Sequence, residues 1–242
     1  MHVAMIFMGI IGTNPLLRLM VHERKPMRLV ITVFEGEHNP YRLSLQRSLQ
    51  IAGLTNHTFV TTSHCIAAHY LSSSKQHRDH VERVAVVDFG DRGMAITVYK
   101  LYSMERGVVE VVEMDSTRLG GLHITSRLAD YVVAQLMQAK GMDITTIPKL
   151  MHKLKILSME AKHTLANSER AFVRLDELPD IRVFGCEVSQ KQFEECIRDD
   201  LNKNFEMVRR VLNRDRKIST IITTGGSCSL LAFGRMMREL VA

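Results

Sequence analysis

Tryptophan is absent from this chain of 242 residues, and aromatic residues make up only 6% of it. The basic residues are scattered, and their densest group, Met20 to Arg28, also contains a glutamate. A nucleic-acid-binding surface needs a basic stripe with interleaved aromatic side chains. The net charge of +6 therefore does not indicate nucleic-acid binding, although a mild basic excess suits a nucleotide or an acidic partner.

Several other signatures are missing. The four cysteines, Cys65, Cys186, Cys196 and Cys228, form no C-x-x-C pair, which predicts a reducing compartment and no structural zinc. The histidines are dispersed, and no H-E-x-x-H motif occurs. No run reaches the roughly 18 apolar residues that a membrane span needs. We therefore expect a cytoplasmic protein that does not bind a membrane.

One stretch, Arg83 to Lys100, organises the rest of the chain. An apolar strand, Val84 to Val87, leads into the turn Asp88 to Gly93, and a second strand follows from Ala95 to Tyr99. A carboxylate at the end of a buried strand, followed by a glycine, suits a metal-bound polyphosphate. An ordinary hairpin with Asp and Gly in its turn is the alternative.

A second glycine-rich strand end, Ile221 to Ser227, precedes a predicted helix, Ser229 to Leu240. Backbone amides at such a junction can hold an anion. Around these two stretches, strands alternate with helices and hairpins also occur, which predicts an α/β protein with a mixed sheet. The length allows one large domain or two lobes.

The remaining elements follow from apolar periodicity. The other predicted strands are Leu29 to Phe34, Thr58 to Thr62, Gly107 to Val112, Arg170 to Leu175, Ile181 to Val188 and Ile218 to Thr224. The other predicted helices are Pro40 to Ala52, Ile66 to Leu71, His123 to Lys140, Ile147 to Asn167 and, after a capping box at Ser189, a helix to Asn213. We expect Met1 to Val21 to be a core helix or strand, and Ser72 to His80 to be a surface loop.

Seven segments, taken in order, are similar to segments of one known family. The run LVITVF matches the family strand A-V-I-T-V-P, VVDFGDRGMAITV matches the phosphate-binding D-L-G-G-G-T-F-D-V-S, and IITTGGSCSL matches V-L-V-G-G-S-T-R-I-P. The other four are Leu49 to Tyr70, Arg118 to Val133, Ser158 to Ser168 and the run VSQKQFEECIRDDL. From Leu29 onward, the chain thus resembles the ATPase domain of the heat-shock protein 70 family, including its heat-shock protein 110 branch.

This resemblance implies the actin-like ATPase fold, with mixed ribonuclease H-like sheets in two lobes and a nucleotide in the cleft between them. Residues 1–80 would be a remnant of the first lobe and residues 81–242 the second lobe, with a helical and β insert at about 120–188. The family's first phosphate loop, the segment that closes its first lobe and its peptide-binding domain have no counterpart here. The resemblance is therefore truncated at both ends.

The resemblance also implies a phosphate loop for ATP or ADP with Mg²⁺. Asp88 matches the aspartate that positions the metal and its waters, so it would hold Mg²⁺ indirectly. Gly90 matches the first glycine of the loop, whereas Asp91 and Arg92 replace the next two glycines and Gly93 replaces a threonine. A carboxylate at position 91 repels phosphate unless a metal intervenes, and Arg92 is either a phosphate clamp or a solvent-facing side chain.

An adenosine pocket is implied in the same way. Lys162 matches the family lysine near the ribose, and His163 stands where the family has arginine, as a stacking partner for adenine or a surface histidine. Gly225, Gly226 and Ser227 match the family's Gly-Gly-Ser loop. Together with the phosphate loop, these residues are the predicted nucleotide site.

Departures from the family also occur at Ala95, which replaces a second aspartate, and at Thr62 and Ser63, which replace the Glu-Pro pair that links nucleotide state to domain motion. Positioning and charge stabilisation supply nearly all the catalysis of phosphoryl transfer. We therefore expect no efficient hydrolysis by this chain alone, and Asp88 is the only candidate catalytic residue.

Three functions remain open. The first is a divergent pseudo-ATPase that binds ATP weakly or not at all and regulates other chaperones or co-chaperones. The second is a fragment of an active ATP-dependent molecular chaperone that acts in protein folding and the stress response. The third is a structural subunit of a larger assembly, in which the actin-like lobe is only a packing surface.

Overall fold

A computed structural model describes residues 4–6, 29–35, 39–52, 54–73, 81–102, 109–176, 178 and 182–241. These residues contain nine strands in three sheets and six α-helices, which confirms the predicted α/β class with mixed sheets. The chain divides into two compact units. The first unit comprises residues 1–86, 97–114 and 217–222, and the second comprises residues 87–96, 115–216 and 223–242.

The first unit contains a parallel sheet of three strands in the order β1-β2-β3. These strands are β1 (Ala4–Ile6), β2 (Leu29–Val33) and β3 (His57–Thr61). Helix α1 (Asn39–Ile51) connects β2 to β3, and helix α2 (Thr62–Ser73) follows β3. This β-α-β-α order is the arrangement that parallel strands require, because each crossover needs a long connection.

Burial in the first unit follows the strand alternation. Leu29 and Ile31 of β2 are buried, and they pack with Leu49 of α1. A second cluster joins Ala67 and Leu71 of α2 to buried side chains of the neighbouring strands, namely Val84, Val86, Tyr99 and Leu101. Apolar burial of this kind contributes roughly 25 cal/mol for each Å² removed from water.

A four-stranded sheet has the order β6-β5-β4-β9. Its strands are β4 (Glu82–Phe89), β5 (Met94–Leu101), β6 (Val109–Thr117) and β9 (Ile218–Thr224). β4 and β5 are buried almost continuously, as expected for central strands whose two faces are both covered. β6 lies at the edge, where charged side chains remain in water. Because these charges interrupt the apolar run, the predicted strand Gly107 to Val112 ends five residues early.

The second unit adds helices and a hairpin. Its elements are α3 (Gly121–Lys140), α4 (Pro148–Leu165), β7 (Arg170–Asp176), β8 (Val183–Ser189), α5 (Gln190–Arg214) and α6 (Leu231–Val241). The predicted capping box is present, because Ser189 accepts from the backbone of Gln192 and the Gln192 side chain accepts from the backbone of Ser189. Phe233 of α6 packs its ring against Phe89 and Phe205 at centroid distances of 5.4 and 5.6 Å.

Two further boundaries differ from the prediction. Helix α2 begins at Thr62, four residues before the predicted start, because the Glu35 carboxylate accepts from the backbone N–H of Ser63 at 2.8 Å. The last helix, predicted from Ser229 to Leu240, is α6 and begins two residues later, at Leu231, after a 3-10 turn (Gly226–Ser229). Residues 74–80 of the predicted loop, and all of Met1 to Val21 except β1, lie outside the described residues.

No helix in the described ranges is both long enough and apolar enough to span a bilayer. The proposed lobe boundary at residues 80 and 81, and the insert at about 120–188, stay predictions.

A buried hydroxyl chain lies within the first unit. The Tyr99 hydroxyl is 2.6 Å from the Ser63 hydroxyl, which also donates to Thr97 at 3.4 Å. Burial raises the pKa of Tyr99, and hydrogen bonds to Ser63 and other hydroxyls oppose that rise. Ser63 thus gives this chain a hydroxyl contact inside its core.

We expect Tyr99→Phe to lower the free energy of unfolding by about 1 kcal/mol, because a buried hydrogen bond is lost. Urea unfolding measures the change. Tyr102→Phe is the matched control, since the Tyr102 hydroxyl donates to Glu110 on the exposed surface. Equal effects of the two substitutions would contradict a stabilising role for the buried hydroxyl chain.

Candidate functional site

Three glycine-bearing turns meet within the second unit. They are the turn Asp88–Gly93 after β4, the pair Gly120–Gly121 before α3, and Gly225–Ser227 after β9. The backbone N–H of Gly121 donates to the carbonyl of Gly90 at 3.0 Å, and the Ser227 hydroxyl donates to the same carbonyl at 3.1 Å. The Gly90 carbonyl therefore joins the three turns.

Glycine is required where these backbones approach each other. A Cβ on Gly120 would lie 2.2 Å from the Gly93 nitrogen. Gly225 has φ +98°, and a Cβ there would lie 2.3 Å from the Phe89 carbonyl oxygen. Both contacts are shorter than any side chain tolerates, so these glycines serve the packing of the turns as well as any ligand.

Asp88 lies at the end of β4 and is only 7% exposed. Its Oδ1 atom faces Gly225, since a Cβ on that glycine would lie 2.8 Å away. The neighbouring Cys228 thiol donates to the Thr224 carbonyl at 2.9 Å. Burial and, to a smaller extent, Asp88 raise the pKa of Cys228 to about 11, so the thiol is protonated and unreactive at neutral pH.

Three polar side chains surround Gly121. A Cβ on this glycine would lie 2.9 Å from Asp91 Oδ1, 2.9 Å from Ser227 Oγ and 3.2 Å from Lys162 Nζ. Lys162 is buried, and its ammonium donates to the Gly121 carbonyl at 3.0 Å. Burial lowers the pKa of Lys162, and the charge of Asp91 opposes that change. A buried amine, a hydroxyl and a carboxylate thus occupy one small region.

The structure brings together most of the predicted site residues. The residues with contacts at the three turns are Asp88, Gly90, Asp91, Gly93, Lys162, Gly225 and Ser227. Gly226 lies on the same loop but is exposed, with open space around it. Arg92 and His163 are also exposed. Their predicted roles as a phosphate clamp and as an adenine-stacking group stay predictions, as does the site as a whole.

Sequence reasoning missed two sets of residues. Gly120 and Gly121 were not among the predicted site residues. Asp200 and Asn204 of α5 are 3% and 1% exposed, although both are polar. The sequence signal for this second set is their position on the apolar stripe of α5, where a polar side chain needs a buried partner.

Asp200 and Asn204 hold the start of α3. The Asn204 side-chain amide donates to the Leu119 carbonyl at 2.8 Å, directly before the glycine pair. Asp200 accepts from Arg127 Nε at 2.8 Å, and His123 Nε2 lies 3.2 Å from its carboxylate. The hydrogen bond and charge of Arg127 lower the pKa of Asp200 against the opposing effect of burial. These contacts from α5 fix the position of the glycine pair at the start of α3.

The family model described as Hsp70 protein matches residues 28–240. The chain belongs to the Hsp70 protein family. This match confirms the family that the seven ordered segments indicated. The fold is a part of the actin-like ATPase fold.

Curated relatives agree with this assignment. Over 216 residues, or 87% of the chain, it is 26% identical to heat shock cognate 70 kDa protein 3 of Dictyostelium discoideum. Over 65% of the chain it is 28% identical to heat shock 70 kDa protein 14 of Bos taurus. Over 66% it is 27% identical to a heat shock 70 kDa protein of Trichophyton rubrum. The aligned region covers only 34%, 31% and 25% of these relatives, respectively.

Direct metal coordination by several side chains is not evident. In the part of the chain that the structure describes, no three His, Cys, Asp or Glu side chains form a group that could hold a metal ion. The prediction that Asp88 would hold Mg²⁺ through water stays a prediction.

We expect Gly225→Ala to destabilise the chain by about 2–4 kcal/mol, because it adds a left-handed backbone strain to a clash with Phe89. Gly226→Ala is the matched control, since nothing lies within 4 Å of its added Cβ. Thermal and urea unfolding of the two variants measure the difference. Equal stability of the variants would contradict the close approach of the turns.

We expect Asp200→Asn to lower stability at pH 7, with a smaller loss near pH 3. The folded-state pKa of Asp200 is depressed, so its stabilisation is present above the unfolded pKa of about 3.9 and is lost as pH falls through the folded value. Urea unfolding from pH 7 to pH 3 measures this dependence. A pH-independent loss would show that the Arg127 interaction does not depend on charge.

Proposed function

We propose that this chain is a divergent Hsp70-family nucleotide-binding domain that binds ATP weakly or not at all and acts as a chaperone regulator. The observation that carries the proposal is the carboxylate of Asp91. Its Oδ1 atom shares the surroundings of Gly121 with the Lys162 ammonium. The phosphate-loop region thus contains its own anion beside the buried cation.

The residues present fit a nucleotide only in part. Asp88 would hold a magnesium ion through water, while Ser227 and Lys162 would face the nucleotide. The metal would supply charge neutralisation for the phosphates. The Asp91 carboxylate opposes nucleotide binding by these residues, because a carboxylate near phosphates repels them.

Three backbone N–H groups around the site are already engaged. The N–H groups of Gly90, Gly121 and Leu122 donate to the carbonyls of Gly93, Gly90 and Asp91, respectively, at 2.8–3.0 Å. Anion sites at glycine turns and helix starts rely on such N–H groups. Those three N–H groups already donate to carbonyls of the protein itself and are not available to phosphate oxygens. Their engagement supports weak phosphate binding.

A regulatory role follows from a retained fold with an altered site. The hydrophobic core and the close glycine packing persist, whereas the phosphate loop differs at positions 91, 92 and 93. We propose that the partners are other chaperones or co-chaperones, and that the chain acts in the cytoplasm without binding nucleic acid or membrane. Such a protein would regulate protein folding in the stress response through its surfaces and not through turnover of ATP.

One observation favours a second function. The aligned region covers between 25% and 34% of the three relatives named above, so this chain corresponds to a part of those proteins. We keep as an alternative that it is a fragment of an active ATP-dependent molecular chaperone. In that case, phosphate groups of the nucleotide would be held mainly by segments outside this chain.

Isothermal titration calorimetry with ATP and ADP, with and without magnesium, tests the proposal. We expect weak or undetectable binding by the wild-type chain. Asp91→Gly should bind the magnesium nucleotide at least about tenfold more tightly, because about 1.4 kcal/mol of like-charge repulsion is removed. Arg92→Gly is the matched control, because it introduces a glycine at the next position of the loop. This variant should bind the magnesium nucleotide no more tightly than wild type does.

Two results would overturn the proposal. One is tight, magnesium-dependent binding by the wild-type chain; the other is phosphate release at the rate of an active family member. Melting temperatures of all three proteins show whether a loss of binding reflects unfolding. Weak binding that Asp91→Gly does not improve would reject the carboxylate as the cause.

A further inference from the structure

The ammonium, hydroxyl and carboxylate around Gly121 differ in what each offers to a ligand. The Lys162 ammonium has three N–H donors, and its hydrogen bond among the described residues is to the Gly121 carbonyl. The Ser227 hydroxyl donates its one hydrogen to the Gly90 carbonyl, so only its lone pairs are left for a ligand. The carboxylate of Asp91 is an acceptor alone. One group of this region therefore offers donors, and the other two offer acceptors.

These three groups are close enough to bind one ligand together. Asp91 Oδ1, Ser227 Oγ and Lys162 Nζ lie 2.9, 2.9 and 3.2 Å, respectively, from the position that a Cβ of residue 121 would occupy. Any two of the three atoms are therefore at most about 6 Å apart, and one oxygen atom spans such a gap with two ordinary hydrogen bonds. Because residue 121 is a glycine, no side chain of its own stands between the three groups.

The backbone of Asp91 is anchored, although the residue is exposed. Its carbonyl accepts from the N–H of Leu122 at 2.8 Å, in the first turn of α3. The preceding residue, Gly90, is held by the hydrogen bonds of its carbonyl to Gly121 and Ser227. The turn that carries the carboxylate is thus fixed beside α3 before any ligand binds, so that a ligand does not have to order it.

A ligand hydroxyl matches this set of groups better than a phosphate oxygen does. One hydroxyl oxygen accepts from the Lys162 ammonium while its hydrogen is donated to the Asp91 carboxylate. A second hydroxyl on the next carbon atom can donate to Ser227 Oγ. An ionised phosphate oxygen has only lone pairs, so it would be bound by Lys162 alone and would face acceptors at Asp91 and Ser227. The region therefore favours a ligand with two adjacent hydroxyls, such as a ribose.

We propose that Asp91 is a specificity-determining residue that makes this region a site for an unphosphorylated nucleoside. Its carboxylate accepts from a ribose hydroxyl that in turn accepts from Lys162, and the same carboxylate repels phosphate groups. This specificity rests on the proposed function, since it presupposes a nucleotide-binding domain with a weak affinity for phosphate. It goes further because it names the ligand class and predicts that affinity falls with each phosphate that is added to the nucleoside.

Calorimetric titration of the wild-type chain with adenosine, AMP, ADP and ATP, each up to about 5 mM and without magnesium, tests the proposal. We expect adenosine to bind at least about tenfold more tightly than ATP, with AMP and ADP between them. The analogue 2′,3′-dideoxyadenosine keeps the base but lacks both hydroxyls, so it should bind at least about fivefold more weakly than adenosine. Undetectable adenosine binding, equal binding of the dideoxy analogue, or an affinity that rises with the number of phosphates would each overturn the proposal.

Substitutions of Asp91 should act in opposite directions on the two ligands. Asp91→Gly should weaken adenosine binding at least about fivefold, because an acceptor for the ribose hydroxyl is lost, whereas ATP should bind more tightly. Asp91→Asn keeps an acceptor oxygen, so its affinity for adenosine should stay within about twofold of wild type. Asp130→Asn is the matched control, because it removes an exposed carboxylate elsewhere on α3 and should change neither affinity.

The outcomes separate nucleoside specificity from the proposed function. If Asp91→Gly tightens ATP binding and leaves adenosine binding unchanged, the carboxylate is only repulsive; nucleoside specificity is then refuted, and the proposed function stands. Tight binding of magnesium ATP by the wild-type chain would refute the proposed function itself. Melting temperatures verify that the variants are folded, and the comparison of adenosine with its dideoxy analogue needs no variant at all.

Discussion

Close approach of backbone segments at glycine is the constraint on which the second unit depends. Gly120 and Gly225 leave room for the Gly93 nitrogen and the Phe89 carbonyl, respectively, and any added Cβ would overlap them. The Gly90 carbonyl accepts from both Gly121 and Ser227. The ends of β4 and β9 and the start of α3 therefore stay together without a ligand.

This constraint falls on some positions of the turns and not on others. Replacement of the glycines that touch other backbone would separate the strand ends. Positions 91 and 92, by contrast, are exposed and accept side chains at no cost in packing. Side chains at these two positions therefore set the chemistry of the turn without disturbing its packing. The outcome is a region where the Asp91 carboxylate, the Ser227 hydroxyl and the Lys162 ammonium surround one glycine.

Behind the turns, α5 provides a polar support inside an apolar core. Asp200 and Asn204 are one helical turn apart, and they hold α3 at Arg127 and at the Leu119 carbonyl. Buried polar groups are stable only when they are paired, and their geometric demands fix a single arrangement of the helices. The start of α3 is therefore fixed by directed bonds as well as by apolar packing.

The sequence by itself determined the family, the mixed α/β class and most of the elements. Apolar runs mark β4, β5 and β9, and the capping box marks the start of α5, because these signals are local in the chain. Tertiary structure alone decided which side chains meet. Glu35 caps α2 across 28 residues, and Asp91, Lys162 and Ser227 converge from distant segments. No local pattern encodes such contacts, since they depend on how strands and helices are stacked.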